Sequence, residues 1–247
     1  MNDILIIKTG TGLPSLAARD GDFEDWILEG MQLPRNRAVV SEVWRGASLP
    51  AYGSVAAVVI TGSDSMVTAR EDWSERTAAW LPGAVERKIP ILGICYGHQL
   101  LAHALGGKVE DNPLGLEYGT VQVSLAGAAQ TDPLLGDLGT TLQVQVCHHQ
   151  SVQQLPDGAT VLGSSAMDAH QAFVIGECAW GVQFHPEFDA ATVAICIQES
   201  RDALALQGSD PDRLLETCMD TSFGPEILRR FAGIAAEWMG SNLLTTK

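Results

Sequence analysis

The sequence is poor in basic residues, with 15 lysines and arginines against 30 aspartates and glutamates and a formal net charge of −15. A surface this acidic repels phosphate backbones and anionic lipid headgroups, so we expect no nucleic acid and no membrane among its partners. Long apolar runs are missing too, since runs such as Val55–Ile60 are too short to span a bilayer. The first residues, Met1–Asp3 followed by Ile4–Ile7, lack the basic region and long apolar stretch of a signal peptide.

Paired cysteine spacing is also missing, because the five cysteines are odd in number and form no Cys-x-x-Cys motif. This argues against a disulfide framework and predicts a reducing, cytoplasmic location in which a thiol nucleophile survives. Cys147 and His149 could share a strand face, but no third metal ligand follows at a recognised spacing. The turn Thr9–Gly12 has Ser15 where a dinucleotide-binding loop needs its third glycine, and no phosphate-binding loop motif occurs. We predict neither a metal nor a cofactor.

The chain does contain enough apolar material for a sizeable core, because hydrophobic residues make up 46% of its 247 positions. In the first half, short β-branched runs alternate with amphipathic stretches, which is typical of βαβ units around a parallel sheet. Later runs, between Thr120 and Phe184, are separated by turn residues and predict more antiparallel pairing. Periodicity is helical again from Ala190, including Pro225–Met239. The first-half runs are Ile4–Lys8, Ala38–Val43, Ala56–Thr61 and Ile89–Ile94.

These patterns predict one α/β domain over residues 1–247. Its core would cover about 3–190 and a helical C-terminal extension about 190–240. A mixed central sheet would be flanked by helices.

One segment carries a candidate nucleophile. The apolar strand Ile89–Ile94 leads into Gly93-Ile94-Cys95-Tyr96-Gly97, and a helix over Tyr96–Leu105 follows. This turn is the thiol counterpart of the Gly-x-Ser-x-Gly elbow, in which strained backbone projects the nucleophile above the sheet. The helix N-terminus favours a thiolate by about 0.3–1 kcal/mol, and the Tyr96 N–H can hold an oxyanion. An unflanked cysteine would be interpreted as a structural residue, but this context favours catalysis by Cys95.

A second segment, Trp180–Phe188, supplies a candidate base and its carboxylate at the end of an apolar strand, where α/β sheets present their chemistry. His185 and Glu187 are two residues apart, so in extended backbone their side chains leave on the same side, and Pro186 stiffens the pair. Glu187 could orient the imidazole while the other ring nitrogen faces the thiol. A His-Pro-Glu tripeptide alone would indicate a surface turn, but together with the elbow it predicts a Cys95–His185–Glu187 triad.

Both segments resemble the signatures of a known family. Gly93–Ala102 and Val182–Glu187 are similar, in this order, to the two motifs of the class I (triad) glutamine amidotransferases. The similarity is strongest to free-standing proteins like the glutaminase domain of GMP synthetase, and it extends from about Ile4 to Phe188. It implies a flavodoxin-like class I glutaminase fold, with a mostly parallel sheet and a small antiparallel portion, in a single glutamine amidotransferase domain.

The resemblance also assigns an oxyanion hole. Val58–Ser65 resembles the strand and loop that donate the second oxyanion amide in the family. By position that donor would be the Ser63 N–H, with Gly62 allowing the turn beside the substrate, and the first donor would be the Tyr96 N–H. Many relatives have a second glycine where this chain has Ser63.

Substrate-binding positions follow from the same resemblance. Val146–Val152 resembles the family segment whose backbone helps hold the amino-acid head group. Relatives often carry His-Gly-Asp there, so His149 and Gln150 are departures that leave head-group recognition open. Gln99 matches a residue that contacts the bound glutamine in the family.

Three functions are compatible with these residues. The family implies a glutaminase in which Cys95 attacks the γ-carbonyl of glutamine, His185 transfers protons, and ammonia leaves. The first alternative is a γ-glutamyl hydrolase or peptidase that acts on small γ-glutamyl conjugates and differs only in the leaving amine. The second is a catalytically inert binding or regulatory module. Because we expect no fused synthetase domain, an ammonia acceptor would be a separate synthetase subunit.

Overall fold

The computed structural model describes residues 3–18 and 21–245. Within those ranges, every helix is too short or too polar to cross a bilayer. The strands are β1 (Asp3–Lys8), β2 (Ala38–Glu42), β3 (Val55–Ile60), β4 (Ile91–Ile94), β5 (Lys108–Asp111), β6 (Glu117–Leu125), β7 (Thr141–His148), β8 (Gln150–Gln154), β9 (Ala159–Ser164), β10 (Ala172–Ile175) and β11 (Ala179–Val182). The helices are α1 (Phe23–Gly30), α2 (Asp72–Glu86), α3 (Tyr96–Ala104), α4 (Ala190–Glu199), α5 (Arg201–Leu206), α6 (Pro211–Glu216) and α7 (Phe223–Thr245).

The main sheet has nine strands in the order β2-β1-β3-β4-β11-β10-β9-β6-β7. Neighbouring strands in the series β2-β1-β3-β4-β11 are parallel, and neighbouring strands in the series β11-β10-β9-β6-β7 are antiparallel. Only β10 and β6 therefore run against the other strands of this sheet, which confirms the predicted mixed, mostly parallel architecture. The remaining pair, β5 and β8, forms a small antiparallel sheet.

Alternating side chains of the central strands explain why both faces of the sheet are covered. On β3, which is buried along its whole length, Ala57 and Val59 join one apolar cluster while Val58 and Ile60 join the other. The first cluster receives side chains from α1, α4 and α7, and the second from α2 and α3. The fold thus has three layers, with helices on both sides of the sheet.

The carboxyl ends of β1, β3, β4 and β11 meet at one edge, because these four neighbouring strands are parallel. Ile60 is in register with Gly93, and Val182 with Ile94. Chain segments that leave these strands are therefore close together, which is where open α/β sheets present their chemistry.

The helical periodicity from Ala190 corresponds to α4 through α7. Two of these helices pack on the part of the chain that precedes them: α4 packs against β6 and β7, and α7 packs against α1. Phe231 of α7 is fully buried and lies edge-on to Trp180 of β11, with ring centroids 6.4 Å apart. The extension is thus continuous with the core of the sheet.

Candidate active site

Cys95 occupies the turn between β4 and α3, with φ 49° and ψ −102°. This is a left-handed conformation that side chains other than glycine rarely adopt, so the elbow is strained as its sequence predicts. The turn is held on the sheet by the Cys95 N–H, which donates to the Val182 carbonyl at 2.9 Å. A Cβ atom at Gly97 would collide with the Ile60 carbonyl, so glycine is needed for α3 to approach β3 this closely.

His185 follows β11 and lies next to Glu187, with 2.7 Å between Nδ1 of the imidazole and Oε1 of the carboxylate. The two side chains are 5% and 0% exposed, so water screens the pair very little. Burial alone would lower the pKa of His185, but the charges of Glu187 and Cys95, with the hydrogen bond to Glu187, raise it well above 6.5. Because the shifted pKa favours the cation, the geometry supports an imidazolium beside the thiol.

The imidazole is also held by aromatic packing that the sequence did not predict. The Phe188 ring stacks on the His185 ring, with centroids 4.0 Å apart and an interplanar angle of 7°. Phe23, from the first turn of α1, stacks in turn on Phe188 at 6.1 Å. Phe188 directly follows Glu187 in the chain, so its position in the sequence was a usable signal, whereas Phe23 lies far away.

Cys95 and His185 line one small cavity of about 40 Å³, in which the Cys95 thiol donates to the Cys147 carbonyl at 3.8 Å and its charge helps raise the pKa of His185. Ser63 and Asp64 line the same cavity, together with the thiols of Cys147 and Cys196. The structure therefore brings the three predicted triad residues together from two distant segments of the chain.

The loop after β3 faces the nucleophile from the other side. Gly62 lies against the His185 ring, since a Cβ atom there would be 2.9 Å from Cε1. The Ser63 hydroxyl donates to the Thr9 carbonyl at 2.9 Å and accepts from the Ser65 N–H at 3.1 Å, which fixes the loop. Among the described residues, the structure gives neither the Ser63 N–H nor the Tyr96 N–H a hydrogen-bond partner. Two free amides next to a thiol can stabilise an oxyanion.

A larger cavity of about 240 Å³ opens beside Cys95. All of the predicted binding residues except Gly62 line it, namely Ser63, Tyr96, Gln99, His149 and Gln150. Asp64, Tyr118 and Ser200, which the sequence did not single out, line it as well. Asp64 could have been found from its place after Ser63, but Tyr118 and Ser200 reach the cavity only through the fold of β6 and α4.

The two predicted glutamines use their side-chain amides within the protein. Gln99 Nε2 donates to the Gln150 carbonyl at 2.8 Å and to Gln183 Oε1 at 3.0 Å. Gln150 Nε2 donates to Thr68 Oγ1 at 2.7 Å and to Asp111 Oδ1 at 2.9 Å. These contacts make both side chains rigid walls of the cavity.

The neighbouring histidines have different environments. His149 Nε2 lies 2.8 Å from the Tyr118 hydroxyl, which also accepts from Ser200 Oγ at 3.0 Å. Burial, together with the charge of His148, lowers the pKa of His149. His148 itself is buried between Glu117 Oε2 at 2.8 Å and the Gln150 carbonyl at 2.9 Å. His148 therefore orders the segment that the resemblance assigned to the substrate head group.

The other histidines lie outside this cleft. Burial lowers the pKa of His98 to about 3, and its ring packs against Phe173, so it is a neutral part of the core. His103 pairs with Glu75 at 3.0 Å. In the described ranges, no three His, Cys, Asp or Glu side chains are arranged to hold a metal ion.

Comparisons with known proteins agree with one another. A family model described as glutamine amidotransferase class-I matches residues 54–194, which is more than half of the chain. The glutamine-hydrolyzing GMP synthase of Symbiobacterium thermophilum is 46% identical over 109 residues, 43% of this chain and 20% of that protein. One subunit of the glutamine-hydrolyzing GMP synthase of Halobacterium salinarum is 40% identical over 102 residues, 40% of this chain and 53% of that relative.

A similar fold is found among solved structures. The crystal structure of a glutamine amidotransferase from Thermotoga maritima matches with a TM-score of 0.74 and 23% identity, covering 96% of this chain and 99% of that chain. The sequence matches are shorter, since they span only about a fifth of the Symbiobacterium thermophilum protein and about half of the Halobacterium salinarum one.

Proposed function

The chain belongs to the class-I glutamine amidotransferase family, and from this premise we propose that it hydrolyses the γ-amide of glutamine through a thioester on Cys95. The observation that carries the proposal is the buried Glu187–His185 pair, which faces a thiol on a strained elbow. A core packed only for stability would not need a strained backbone and a buried charge pair at the same point.

In the first half of the reaction, the Cys95 thiolate attacks the γ-carbonyl carbon and forms the C–S bond. The N–H groups of Ser63 and Tyr96 hold the oxyanion that develops on the γ-oxygen. His185, as imidazolium, then gives its proton to the γ-nitrogen, the C–N bond breaks, and ammonia leaves with the γ-glutamyl group bound to sulfur.

In the second half, neutral His185 removes a proton from water as the water oxygen attacks the thioester carbonyl. The same two amides hold the second oxyanion, and the C–S bond breaks to give glutamate and the thiolate. Glu187 keeps the imidazole in the orientation that both halves need and stabilises its cation.

We also propose that the ammonia goes to a synthetase supplied by a separate chain. Support comes from the Halobacterium salinarum relative, which is named as one subunit of a glutamine-hydrolyzing GMP synthase. Measuring ammonia release from glutamine by this chain, first alone and then with added synthetase, tests the idea. Full turnover that no synthetase increases would contradict it.

The thioester is tested by quenching the chain in acid during turnover of glutamine and measuring the mass of the intact protein and of its Cys95 peptide. We expect a γ-glutamyl adduct on that peptide, and we expect Cys95→Ala to lose both the adduct and several orders of magnitude in turnover. Cys178→Ala is the matched control, because Cys178 lies outside the cleft. Full activity in Cys95→Ala would overturn the mechanism, and turnover restricted to larger γ-glutamyl amides would favour a γ-glutamyl hydrolase.

A further inference from the structure

Asp64 is an exposed carboxylate that lines both cavities at the nucleophile. It directly follows Ser63, whose amide faces Cys95 in the proposed mechanism. Among the described residues, no donor lies within hydrogen-bond distance of its side chain. Because Asp64 has no hydrogen-bond or ion-pair partner among the described residues, its contacts within the protein do not explain why an acidic side chain lies at this point.

The charges in the cleft are otherwise few. Neither a lysine nor an arginine is among the described residues that line the two cavities. Desolvation by the cleft walls raises the pKa of Asp64, while the charges of His185 and His149 act in the opposite direction. Because burial lowers the pKa of His149, that ring supplies little positive charge at neutral pH. The two rings in the cleft whose pKa is raised, His148 and His185, are hydrogen-bonded to Glu117 and Glu187, so no cation among the described residues is hydrogen-bonded to the Asp64 carboxylate.

We propose that Asp64 binds the α-ammonium group of the substrate and makes the site selective for γ-amides with a free α-amino group. This inference rests on the proposed function for the position of the γ-carbonyl at Cys95. In glutamine the α-nitrogen is four bonds from that carbonyl carbon, on the order of 5 Å away, which is within the dimensions of a cleft that Cys95 and Asp64 line together. The ammonium would supply the hydrogen-bonded partner that Asp64 lacks among the described residues, in a charge-assisted hydrogen bond.

Neutral groups remain for the α-carboxylate on the rest of the cavity wall. His149, Tyr118 and Ser200 form a hydrogen-bonded row there. Asp64 is the only carboxylate among the described residues that line the two cavities, so its negative charge is the one that can distinguish an amino acid from its deaminated analogue.

The test is equilibrium binding by isothermal titration calorimetry in the Cys95→Ala chain, which cannot form the thioester. The two ligands are glutamine and 5-amino-5-oxopentanoate, which is glutamine without its α-amino group. We expect glutamine to bind about tenfold more tightly or better, and Asp64→Asn to remove most of this preference by weakening glutamine binding alone. Asp64→Glu should restore part of the preference.

Asp157→Asn is the matched control, because Asp157 is an exposed aspartate in the turn between β8 and β9. It should leave the ratio of the two dissociation constants unchanged. A ratio that also stays unchanged in Asp64→Asn, or a Cys95→Ala chain that binds neither ligand, would overturn the assignment of Asp64. Failure of the wild-type chain to turn over glutamine would instead count against the proposed function, since the binding measurement does not depend on turnover.

Discussion

The charge state of His185 depends on its contact with Glu187. The carboxylate lies 2.7 Å from Nδ1, and it is the largest of the influences that raise the pKa of His185 against the effect of burial. Removing that negative charge in Glu187→Gln therefore lowers the pKa of His185, because desolvation remains and its main opposing influence is lost. The imidazolium would then give up its proton at lower pH.

We accordingly expect the alkaline limb of kcat/KM against pH to move down by about one pH unit or more in Glu187→Gln. The sign follows because the proposed first step needs a protonated His185, and the raised pKa keeps it protonated above 6.5. Kinetic pH profiles of both proteins, with an NMR titration of the imidazole, measure the shift. Glu177→Gln serves as the control, since Glu177 is an exposed residue that pairs with Lys88. An unmoved alkaline limb in Glu187→Gln would contradict this role of the carboxylate.

Local spacing was sufficient to predict which residues form the proposed triad, because Gly-x-Cys-x-Gly and His-x-Glu each place side chains through a few backbone angles. Their catalytic roles stay predictions. The partners that come from distant segments could not be predicted in this way. Phe23 reaches the His185–Phe188 stack only because α1 packs across the first face of the sheet, and Glu117 meets His148 only because β6 and β7 pair with these residues in register.

The elbow between β4 and α3 can be tested as an element. Cys95 has a φ of 49°, and such strain costs on the order of 1–3 kcal/mol in a residue with a side chain. We expect Cys95→Gly to unfold at the same temperature as Cys95→Ala or higher, because glycine relieves the strain while its extra freedom in the unfolded chain costs only about 0.5–1 kcal/mol. Thermal unfolding followed by circular dichroism measures the difference.

At a cysteine inside a helix, the glycine variant should be less stable than the alanine variant. Cys196 lies inside α4, with both neighbours helical, so Cys196→Gly should be less stable than Cys196→Ala by about 1 kcal/mol. If Cys95→Gly were likewise less stable than Cys95→Ala, the elbow would not be strained in solution.

The parallel strands could be predicted because their apolar, β-branched sequences are buried on both faces. The predicted runs Ile4–Lys8 and Ala56–Thr61 differ from β1 and β3 by no more than one residue at either end. The small antiparallel portion implied by the resemblance is present as β5 and β8, but the positions of its strands were not predicted, because Lys108–Asp111 and Gln150–Gln154 are polar and too short for a clear alternation.

At the scale of the whole molecule, we propose that the core and the C-terminal extension are one domain. The support is the position of Phe231, which is buried against the same face of the sheet as α1 and contacts Trp180 on the strand that leads to His185. If the two parts unfolded separately, this contact would be an interface between domains. If the contact lies inside one core, α7 and β11 should instead unfold together.

Phe231→Ala should therefore lower the free energy of unfolding of the entire chain by about 3–5 kcal/mol, because it leaves a cavity under the sheet. We expect urea transitions followed by tryptophan fluorescence and by far-UV circular dichroism to coincide and to shift together, with little change in slope. Leu206→Ala is the control, since Leu206 is 88% exposed and its removal should change stability by about 0.5 kcal/mol or less. Two separate transitions, with only one displaced by Phe231→Ala, would show instead that the extension folds as its own unit and that the triad does not depend on it.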